Sequence, residues 1–510
     1  MARNTPAPWF ALALLIASCG SKEPAWKGPK HILLVSLDTL RADHLGAYGN
    51  TRGLTPTMDA LARQGVVFPE TMAPAPTTLV SHTSMMTGRY PQNHGVVRNG
   101  FSVNADNHTL AESLAARGFH TAAFLGSFAL DARFGLDQGF HVYNQDFDSL
   151  VQRGRDQNQR SAEAVTESAL EYLKGLESAP EHLFLFVHYF DAHLPYEPPA
   201  KWVQRLAPQS PVQTMDATAV AAIVAAKHKE VYGLNPEAAD FGMAGVITQG
   251  LPAEMLAKGG SAASGPERLA AALYAAEVAA VDEALGRLLA GLTELGLMQD
   301  TLVVITGDHG ETFWEHADLW NHGLWLYQST LNVPFILSGA GLPWAPGSRP
   351  ETPVSTVDLV PTLLALGGSE PDGPVDGRSL LASAAQGDWQ RGDLFSVATQ
   401  PYAAEAGAAW GNDRKPQAVR RGRWKYVVSE YNGVTQLFDL QTDPGERNDL
   451  LRSAPGREDV KQAAAELSEA LRAFRASASP LPSHFDDSQG RETRARLGAM
   501  GYGGDGAKDE

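Results

Sequence analysis

Carboxylate and imidazole side chains follow two apolar runs of the chain and have the chemistry of metal ligands. Asp38 comes after the run His31–Leu37, and the pair Asp308 and His309 comes after Thr301–Thr306. Such runs predict buried strands, and neighbouring parallel strands end at the same edge of a sheet. The sequence therefore predicts a divalent metal site at this edge. Carboxylate oxygens together with an imidazole nitrogen favour one zinc or manganese ion over calcium or magnesium.

Three further segments add hydroxyl groups and histidines. Thr77, Thr78, Ser81 and His82 stand near the start of a predicted helix, whose N-terminus would favour an anionic group. The other histidines lie in predicted loops, His193 in a stretch rich in Pro and Tyr and His322 in an Asn-His-Gly triplet. Hydroxyls and histidines beside a metal site are candidates for nucleophilic and acid–base roles.

Alternating short apolar runs and helical patterns indicate the elements that position these residues. The pattern predicts a doubly wound α/β fold with a mostly parallel sheet covered by helices on both faces. The predicted strands are His31–Leu37, Thr121–Leu125, His182–Tyr189, Thr301–Thr306 and Val333–Leu337. The predicted helices are Thr57–Gln64, Leu110–Arg117, Ser161–Leu176, Glu267–Leu295 and Asp358–Ala365.

The N-terminus has the pattern of an export signal. Met1-Ala-Arg-Asn precedes an apolar run, Trp9–Ala17, that is too short to span a bilayer. Residues 16–20 read Ile-Ala-Ser-Cys-Gly and resemble a bacterial lipobox, in which the cysteine is lipidated. We therefore expect a lipid anchor at Cys19 on the periplasmic side of a cell envelope. Residue 20, after the cysteine, is Gly and not the aspartate that retains lipoproteins in the inner membrane, which favours the outer membrane. The alternative is a plain signal peptide with an incidental cysteine.

Composition shifts divide the rest of the chain. We expect a linker over residues 20–29, a catalytic domain over 30–400 with a helical insertion at 203–265, and a small C-terminal α+β subdomain over 401–478. Residues 479–510 are expected to be a flexible tail, in which 496–502 could dock. With 41 Lys and Arg against 58 Asp and Glu, the net charge of −17 makes nucleic acid an unsuitable partner.

The order of several motifs gives the chain a specific resemblance from Lys30 to about Leu450. The metal segments read Ser-Leu-Asp-Thr-Leu-Arg at 36–41 and Thr-Gly-Asp-His-Gly-Glu at 306–311. Together with the segments that follow, they resemble the sulfatase family of the alkaline phosphatase superfamily. Those further segments are Tyr274–Leu289, Leu331–Ile336, Asp358–Thr362, Arg423–Tyr426 and Leu437–Glu446.

The chain departs from that family at several positions of the sulfate apparatus. Counting back from the Thr-Gly-Arg triplet at 87–89 places Thr78 at the family's nucleophilic cysteine and His82 at its arginine. Threonine cannot be oxidised to the formylglycine aldehyde, because its secondary hydroxyl would give a ketone. The family's sulfate-binding lysine is missing at 124–128, and Thr39 replaces a second aspartate. These departures resemble the threonine-nucleophile branch of the superfamily.

The resemblance implies roles for the candidate residues. One divalent ion would be held by Asp38, Thr78, Asp308 and His309, while Thr78, His82, His193 and His322 would be catalytic. The implied reaction is cleavage of a phosphoester or phosphodiester, or phosphoryl-group transfer, on a small-molecule or an envelope glycan or lipid ester. Sulfate-ester hydrolysis is the alternative, and a catalytically inactive binding protein is a further one.

Some assignments stay open at this stage. Thr77 or Ser81 could be the nucleophile in place of Thr78. His188, on an apolar strand, is expected to be a core histidine with its hydrogen bonds satisfied. Asp191 could form a second metal site with His193 and His322.

Overall fold

Alternating strands and helices place the candidate residues around one large sheet. The computed structural model describes residues 26–147, 158–194, 196–206, 266–313, 315–316, 322–385, 389–431, 433–485 and 490–500. The strands in these ranges are β1 (His31–Leu37), β2 (Val66–Val67), β3 (Thr71–Met72), β4 (His120–Leu125), β5 (Val142–Asn144), β6 (Leu183–Tyr189), β7 (Thr301–Gly307), β8 (Asn332–Val333), β9 (Phe335–Gly339), β10 (Val354–Ser355), β11 (Leu394–Val397), β12 (Gln417–Arg421), β13 (Trp424–Ser429) and β14 (Val434–Asp439).

The α-helices surround these strands. They are Pro56–Gln64, Thr78–Thr87, Pro91–His94, Leu110–Ala116, Ala162–Gly175, Ala200–Leu206, Pro266–Glu294, Gln328–Leu331, Leu359–Leu366, Ala382–Ala385, Leu450–Ser453, Glu458–Ala476 and Gly490–Ala499.

The main sheet has seven strands in the order β2-β9-β7-β1-β6-β4-β5. The five strands from β7 to β5 run parallel, whereas β9 is antiparallel to both β7 and β2. All seven residues of β1 are buried, as expected for a central strand covered on both faces. This arrangement confirms the predicted α/β fold with a mostly parallel sheet.

Side chains of β1 alternate between two hydrophobic cores, one on each face of the sheet. Leu33 and Val35 join the core formed with helices Pro56–Gln64, Ala162–Gly175 and Pro266–Glu294. Ile32 and Leu34 join the core formed with helices Thr78–Thr87, Leu110–Ala116 and Leu359–Leu366. The period of two along the strand thus buries both faces and fixes the edge at which β1 delivers Asp38.

The predicted elements match the structure closely, with one exception. β1 has the predicted bounds, and most of the other predicted strands and helices differ by one residue at an end. The single strand predicted at Val333–Leu337 is wrong, because the chain forms β8 and β9 on either side of Pro334. Proline lacks the amide hydrogen that a ladder needs, and here it separates pairing of β8 with β3 from pairing of β9 with β7.

The C-terminal part adds an antiparallel sheet of four strands in the order β11-β12-β13-β14. Helix Glu458–Ala476 packs against it through a shared hydrophobic cluster. The first strand, Leu394–Val397, precedes the subdomain boundary predicted at residue 401. Helix Gly490–Ala499 lies in the predicted tail, and its Leu497 is buried against the main core, so this stretch docks.

Other predicted segments cannot be located. The signal segment and most of the linker, residues 1–25, lie outside the described residues. Residues 207–265 of the predicted insertion also lie outside them, and the part before them belongs to helix Ala200–Leu206.

A buried ion pair within the C-terminal part lies where this part meets the main domain. The Lys425 ammonium lies 2.7 Å from Glu446 Oε1, and both side chains are fully buried. The other Glu446 oxygen accepts the backbone amide of Gln328 at 2.5 Å, beside β8. We expect Lys425→Met to lower the free energy of unfolding by about 3 kcal/mol, because it leaves a buried carboxylate without its cation.

Urea-induced unfolding followed by circular dichroism measures this loss. Lys461→Met is the matched control, because Lys461 forms an exposed pair with Glu458 at 3.5 Å. Loss of such a pair should cost about 0.5 kcal/mol or less. Equal effects of the two substitutions would show that the buried pair stabilises the fold no more than an exposed pair does.

Candidate active site

The carboxyl ends of three central strands meet at one edge of the main sheet. β1 lies between β6 and β7, and Ser36 is opposite both His188 and Thr306. The amide of Asp38 donates to the Tyr189 carbonyl at 2.9 Å, which ties the turn after β1 to the end of β6. The residues that follow these strands therefore share one small volume.

Asp38, Asp308 and His309 form the candidate metal centre. His309 Nε2 lies 3.4 Å from Asp308 Oδ2 and 3.7 Å from Asp38 Oδ1, and all three side chains are fully buried. None of these three atoms has a hydrogen-bond partner among the described residues. Two buried carboxylates that face an imidazole nitrogen without hydrogen bonds are the donor set expected for a divalent cation.

Burial disfavours the charged forms of the two carboxylates at this centre. Burial raises the pKa of Asp38 and of Asp308, since each charged carboxylate has lost its water. Burial lowers the pKa of His309, but the two neighbouring carboxylates outweigh it and the net pKa is raised. A bound divalent ion would neutralise both carboxylates and take the place of the proton on His309.

Backbone hydrogen bonds fix the orientation of these ligands. His309 Nδ1 lies 2.9 Å from the Gly310 carbonyl and donates to it, so Nε2 is the nitrogen that faces the carboxylates and would bind a cation. Asp308 Oδ1 accepts the amides of His309 at 2.7 Å and of Thr39 at 3.2 Å. The other oxygen, Oδ2, is left for the cation.

Thr78 is the first residue of helix Thr78–Thr87 and lies against the metal carboxylates. Its hydroxyl donates to Asp38 Oδ2 at 3.4 Å. The hydroxyl of Ser81, a predicted alternative nucleophile, instead donates to the Asp308 carbonyl at 2.6 Å. Thr77 caps the helix in an extended conformation, and its hydroxyl is buried without a hydrogen-bond partner among the described residues.

Asn99 supports the turn that carries Thr78. Its Oδ1 accepts the amide of Leu79 at 2.8 Å, and its side chain is buried. Asn99→Ala would leave this amide without an acceptor, so we expect the free energy of unfolding to fall by about 1–2 kcal/mol. Asn448→Ala is the control, because the Asn448 side chain is exposed and its loss should change stability by about 0.5 kcal/mol or less. Thermal unfolding measures both, and equal losses would contradict this role.

His82 lies behind Thr78, with both ring nitrogens engaged. Nδ1 is 2.7 Å from the Thr78 carbonyl, and Nε2 is 2.8 Å from the Ser36 hydroxyl. Nδ1 therefore donates, and Nε2 accepts from the serine. Burial lowers the pKa of His82 to about 3, so the ring is neutral at physiological pH. In this position His82 supports the first turn of the helix.

His193 and His322 complete the predicted set. Their ring centroids are 5.1 Å apart, and the His322 ring is 4.5 Å from that of His309. His193 Nδ1 donates to the Leu194 carbonyl at 2.6 Å, and burial lowers the pKa of both histidines. The structure thus brings together the seven predicted site residues, Asp38, Thr78, His82, His193, Asp308, His309 and His322.

Two residues of the site were not predicted. His188 is not the satisfied core histidine that was expected, because neither of its buried ring nitrogens has a hydrogen-bond partner among the described residues. Glu311 is fully buried with Oε1 3.5 Å from His322 Nδ1, and burial raises its pKa to about 8. The sequence signal for Glu311 was its position, two residues after His309 and just past the end of a strand.

Two other positions bear on the ligand set. Thr39 has a positive φ of 54°, and its hydroxyl donates to the Ala192 carbonyl at 2.7 Å. Threonine stands here in place of the second aspartate of the family motif, so this position supplies no carboxylate. A carboxylate oxygen of Asp191 accepts the amide of Ala162 at the start of a helix, so at least this oxygen is occupied structurally.

Comparison with known proteins bears on this site. A family model described as Sulfatase matches residues 30–369, about two thirds of the chain. The chain belongs to the sulfatase family. The match spans every residue of the candidate site, and it confirms the predicted family and the predicted class of ester hydrolase. Sulfatases are metal-dependent, which agrees with the cluster of Asp38, Asp308 and His309.

Similar proteins differ in the esters that their names describe. The chain is 25% identical to the Ulvan-active sulfatase of Formosa agariphila, over 82% of this chain and 77% of that protein. It is also 25% identical to the multifunctional alkaline phosphatase superfamily protein PehA of Trinickia caryophylli, over 82% and 91%. The phosphonate monoester hydrolase of Agrobacterium radiobacter shares the fold, with a TM-score of 0.66, 22% identity, and coverage of 88% and 96%.

Proposed function

We propose that this sulfatase-family hydrolase cleaves phosphoesters or phosphodiesters, or transfers a phosphoryl group, with Thr78 as the nucleophile. The position of the Thr78 hydroxyl carries the proposal, since it donates a hydrogen bond to Asp38 Oδ2 at 3.4 Å, beside the candidate metal ligands. The one cysteine of the chain, Cys19, stands far from this position in sequence. A formylglycine made from cysteine is therefore not available at residue 78.

The chemistry divides between the cation and the side chains. A bound divalent ion would lower the pKa of the threonine hydroxyl and offset charge on the phosphoryl oxygens. Asp38, Asp308, His309 and the Thr78 hydroxyl would hold it. Thr78 Oγ1 bonds to phosphorus, the bond from phosphorus to the leaving oxygen breaks, and Asp38 is placed to accept the hydroxyl proton. Water or an acceptor alcohol then releases the phosphate from phosphothreonine.

His193 and His322 are assigned to proton transfer and to binding of substrate oxygens. A neutral imidazole donates at one nitrogen and accepts at the other, so it can bind a substrate oxygen or pass a proton. His193 Nδ1 donates to the Leu194 carbonyl, so a neutral ring carries its lone pair on Nε2. We assign His193 to accepting a proton of the attacking water. We assign His322 to the leaving-group side, next to Glu311, and His82 to positioning Thr78.

Sulfate-ester hydrolysis is the second candidate, and the similarity to the Ulvan-active sulfatase favours it. Sulfatases of this family depend on the hydrated aldehyde, whose second hydroxyl helps to expel sulfate. A sulfated threonine lacks that route and would need direct attack by water on sulfur. The side chain at position 78 therefore favours phosphorus over sulfur.

Matched nitrophenyl esters test the proposal. The zinc- or manganese-loaded protein is assayed on the sulfate, phosphate, phosphodiester and phosphonate esters under one set of conditions. We expect kcat/KM for the best phosphorus ester to exceed that for the sulfate by about 100-fold or more. Efficient release of sulfate without measurable turnover of any phosphorus ester would restore the sulfatase assignment.

The envelope location is a separate proposal. Among the described residues, no helix combines the length and the apolar character that a membrane crossing needs. The N-terminal sequence supports attachment through a lipid on Cys19, on the periplasmic side, with an envelope glycan or lipid ester as substrate. Cys19→Ala should lose metabolic palmitate label and leave the membrane fraction. Retention in the membrane with an uncleaved N-terminus would contradict the anchor.

A further inference from the structure

The turn that follows Asp38 has a backbone conformation that its own residues do not favour. Thr39 has a φ of 54°, in the left-handed region that β-branched residues rarely adopt. Such a conformation persists where the surrounding structure holds it in place. Groups outside the turn are therefore needed to fix it.

The hydroxyl of Tyr274, on the long helix Pro266–Glu294, closes this turn. It donates to the Thr39 carbonyl at 2.8 Å and accepts the Arg41 amide at 2.9 Å. One side-chain oxygen thus bridges two backbone groups of the turn, one on each side of Leu40. Tyr274 is fully buried, so bulk water does not compete for either hydrogen bond.

The bridged residue Thr39 also contacts the candidate metal centre. Its amide donates to Asp308 Oδ1 at 3.2 Å, and a single peptide bond joins this amide to Asp38. Rotation of the turn would move the Asp38 carboxylate and withdraw the donor from Asp308 at the same time. The conformation of Thr39 therefore sets the positions of both carboxylates.

Neighbouring aromatic rings fix the ring of Tyr274. The rings of His44, Phe313 and Tyr196 meet it edge-on, with centroids 4.7, 4.8 and 5.8 Å away. The Tyr274 ring makes these contacts, and its hydroxyl makes the two hydrogen bonds to the turn. Tyr274→Phe should therefore remove the bridge and keep the packing.

We propose that Tyr274 is a positioning residue of the metal centre, whose hydroxyl holds the turn at residues 39–41 so that Asp38 and Asp308 face one ion. It acts through the backbone of the turn. The oxygens left for the ion are Asp38 Oδ1 and Asp308 Oδ2, which have no hydrogen-bond partner among the described residues. The inference rests on the metal dependence within the proposed function and not on which ester is cleaved.

Zinc affinity, measured by competition with a chelator on the full-length protein, tests the proposal. Tyr274→Phe should bind zinc about tenfold more weakly or less tightly still, as for other residues that orient metal ligands. Tyr48→Phe is the matched control, because the Tyr48 hydroxyl likewise accepts an amide, that of Phe335 at 2.7 Å, and donates to a carbonyl, that of Phe68 at 3.1 Å. It should lower the unfolding temperature to a similar extent and keep the zinc affinity within about threefold.

Hydrogen exchange adds a measurement that needs no variant to fold. In the wild type the Arg41 amide should exchange slowly, because its acceptor is a buried side-chain oxygen. In Tyr274→Phe the same amide should exchange faster, while Tyr48→Phe should leave its rate unchanged. Rapid exchange of the Arg41 amide in the wild type would overturn the inference.

The other outcomes separate this inference from the proposed function. Unchanged zinc affinity in Tyr274→Phe, or an equal loss in Tyr48→Phe, would overturn the inference and leave the proposed reaction standing. Weaker zinc binding by Tyr274→Phe alone, in a protein that turns over only sulfate esters, would support the inference and contradict the proposed function. A wild type that binds no divalent ion would overturn both.

Discussion

Thr78→Ala should abolish turnover of phosphorus esters, with a loss in kcat of about 1,000-fold or more. The substitution removes the oxygen that bonds to phosphorus, so no covalent intermediate can form. The Thr78 side chain is fully buried and small, and its removal leaves the Asp38–Asp308–His309 cluster in place. Because the Thr78 hydroxyl is the one neutral oxygen among the four groups that would hold the ion, most of the bound metal and of the thermal stability should remain while activity is lost.

Two controls make this result specific. Thr78→Ser keeps an oxygen at the same place and should retain a substantial part of the activity. Mass spectrometry of acid-quenched wild type should find phosphate on the peptide that contains Thr78. If Thr78→Ala kept a tenth of wild-type activity, the nucleophile would be another group, and Thr77 would be the next to test because its buried hydroxyl has no hydrogen-bond partner among the described residues.

The double substitution Asp308→Ala, His309→Ala should remove the bound divalent ion altogether. It deletes a carboxylate and an imidazole whose ligating atoms are 3.4 Å apart, and it leaves Asp38 as the main charged ligand. A ligand present at 1,000 times its dissociation constant stabilises the folded state by about 4 kcal/mol. Elemental analysis should find no metal, and added zinc should no longer raise the unfolding temperature.

A second Asp-His pair provides the control for this loss. His108 and Asp372 are partly exposed and lie 3.6 Å apart, remote from the cluster in sequence. His108→Ala, Asp372→Ala should keep the metal, and full retention by both double variants would place the ion elsewhere. In the wild type, affinity should fall as the pH falls, because burial raises the pKa of Asp38 and of Asp308 and protons compete for these oxygens.

Sequence patterns predicted the elements and motifs better than the contacts between them. The apolar run of β1 and the polar residues at strand ends are local patterns, so Asp38, Asp308 and His309 could be placed at one edge of the sheet. The lack of hydrogen bonds at His188 among the described residues could not be foreseen, because it depends on the side chains that surround this residue once β6 lies beside β1. The break at Pro334 was missed for a similar reason, since the apolar residues on both sides continue one pattern but pair with different strands.

The role of each residue in the site was harder to predict than which residues lie there. The family resemblance implied a catalytic role for His82, and the structure adds that its ring nitrogens contact the Thr78 carbonyl and the Ser36 hydroxyl, which sequence position alone did not indicate. Glu311 is adjacent in sequence to the predicted ligands, yet a loop glutamate is usually solvated. Its burial depends on packing around the strand end, which sequence alone does not specify.

The left-handed backbone at Thr39 has a consequence for how such sites diverge. A φ of 54° is costly for a β-branched residue and is well suited to asparagine or aspartate. Thr39→Asp would therefore relieve strain while it adds a carboxylate next to Asp38. The affinity for hard cations such as calcium should rise, which calcium titration measures. Exchange of one residue type can thus shift cation preference without a change in backbone path, so metal selectivity and fold can evolve independently.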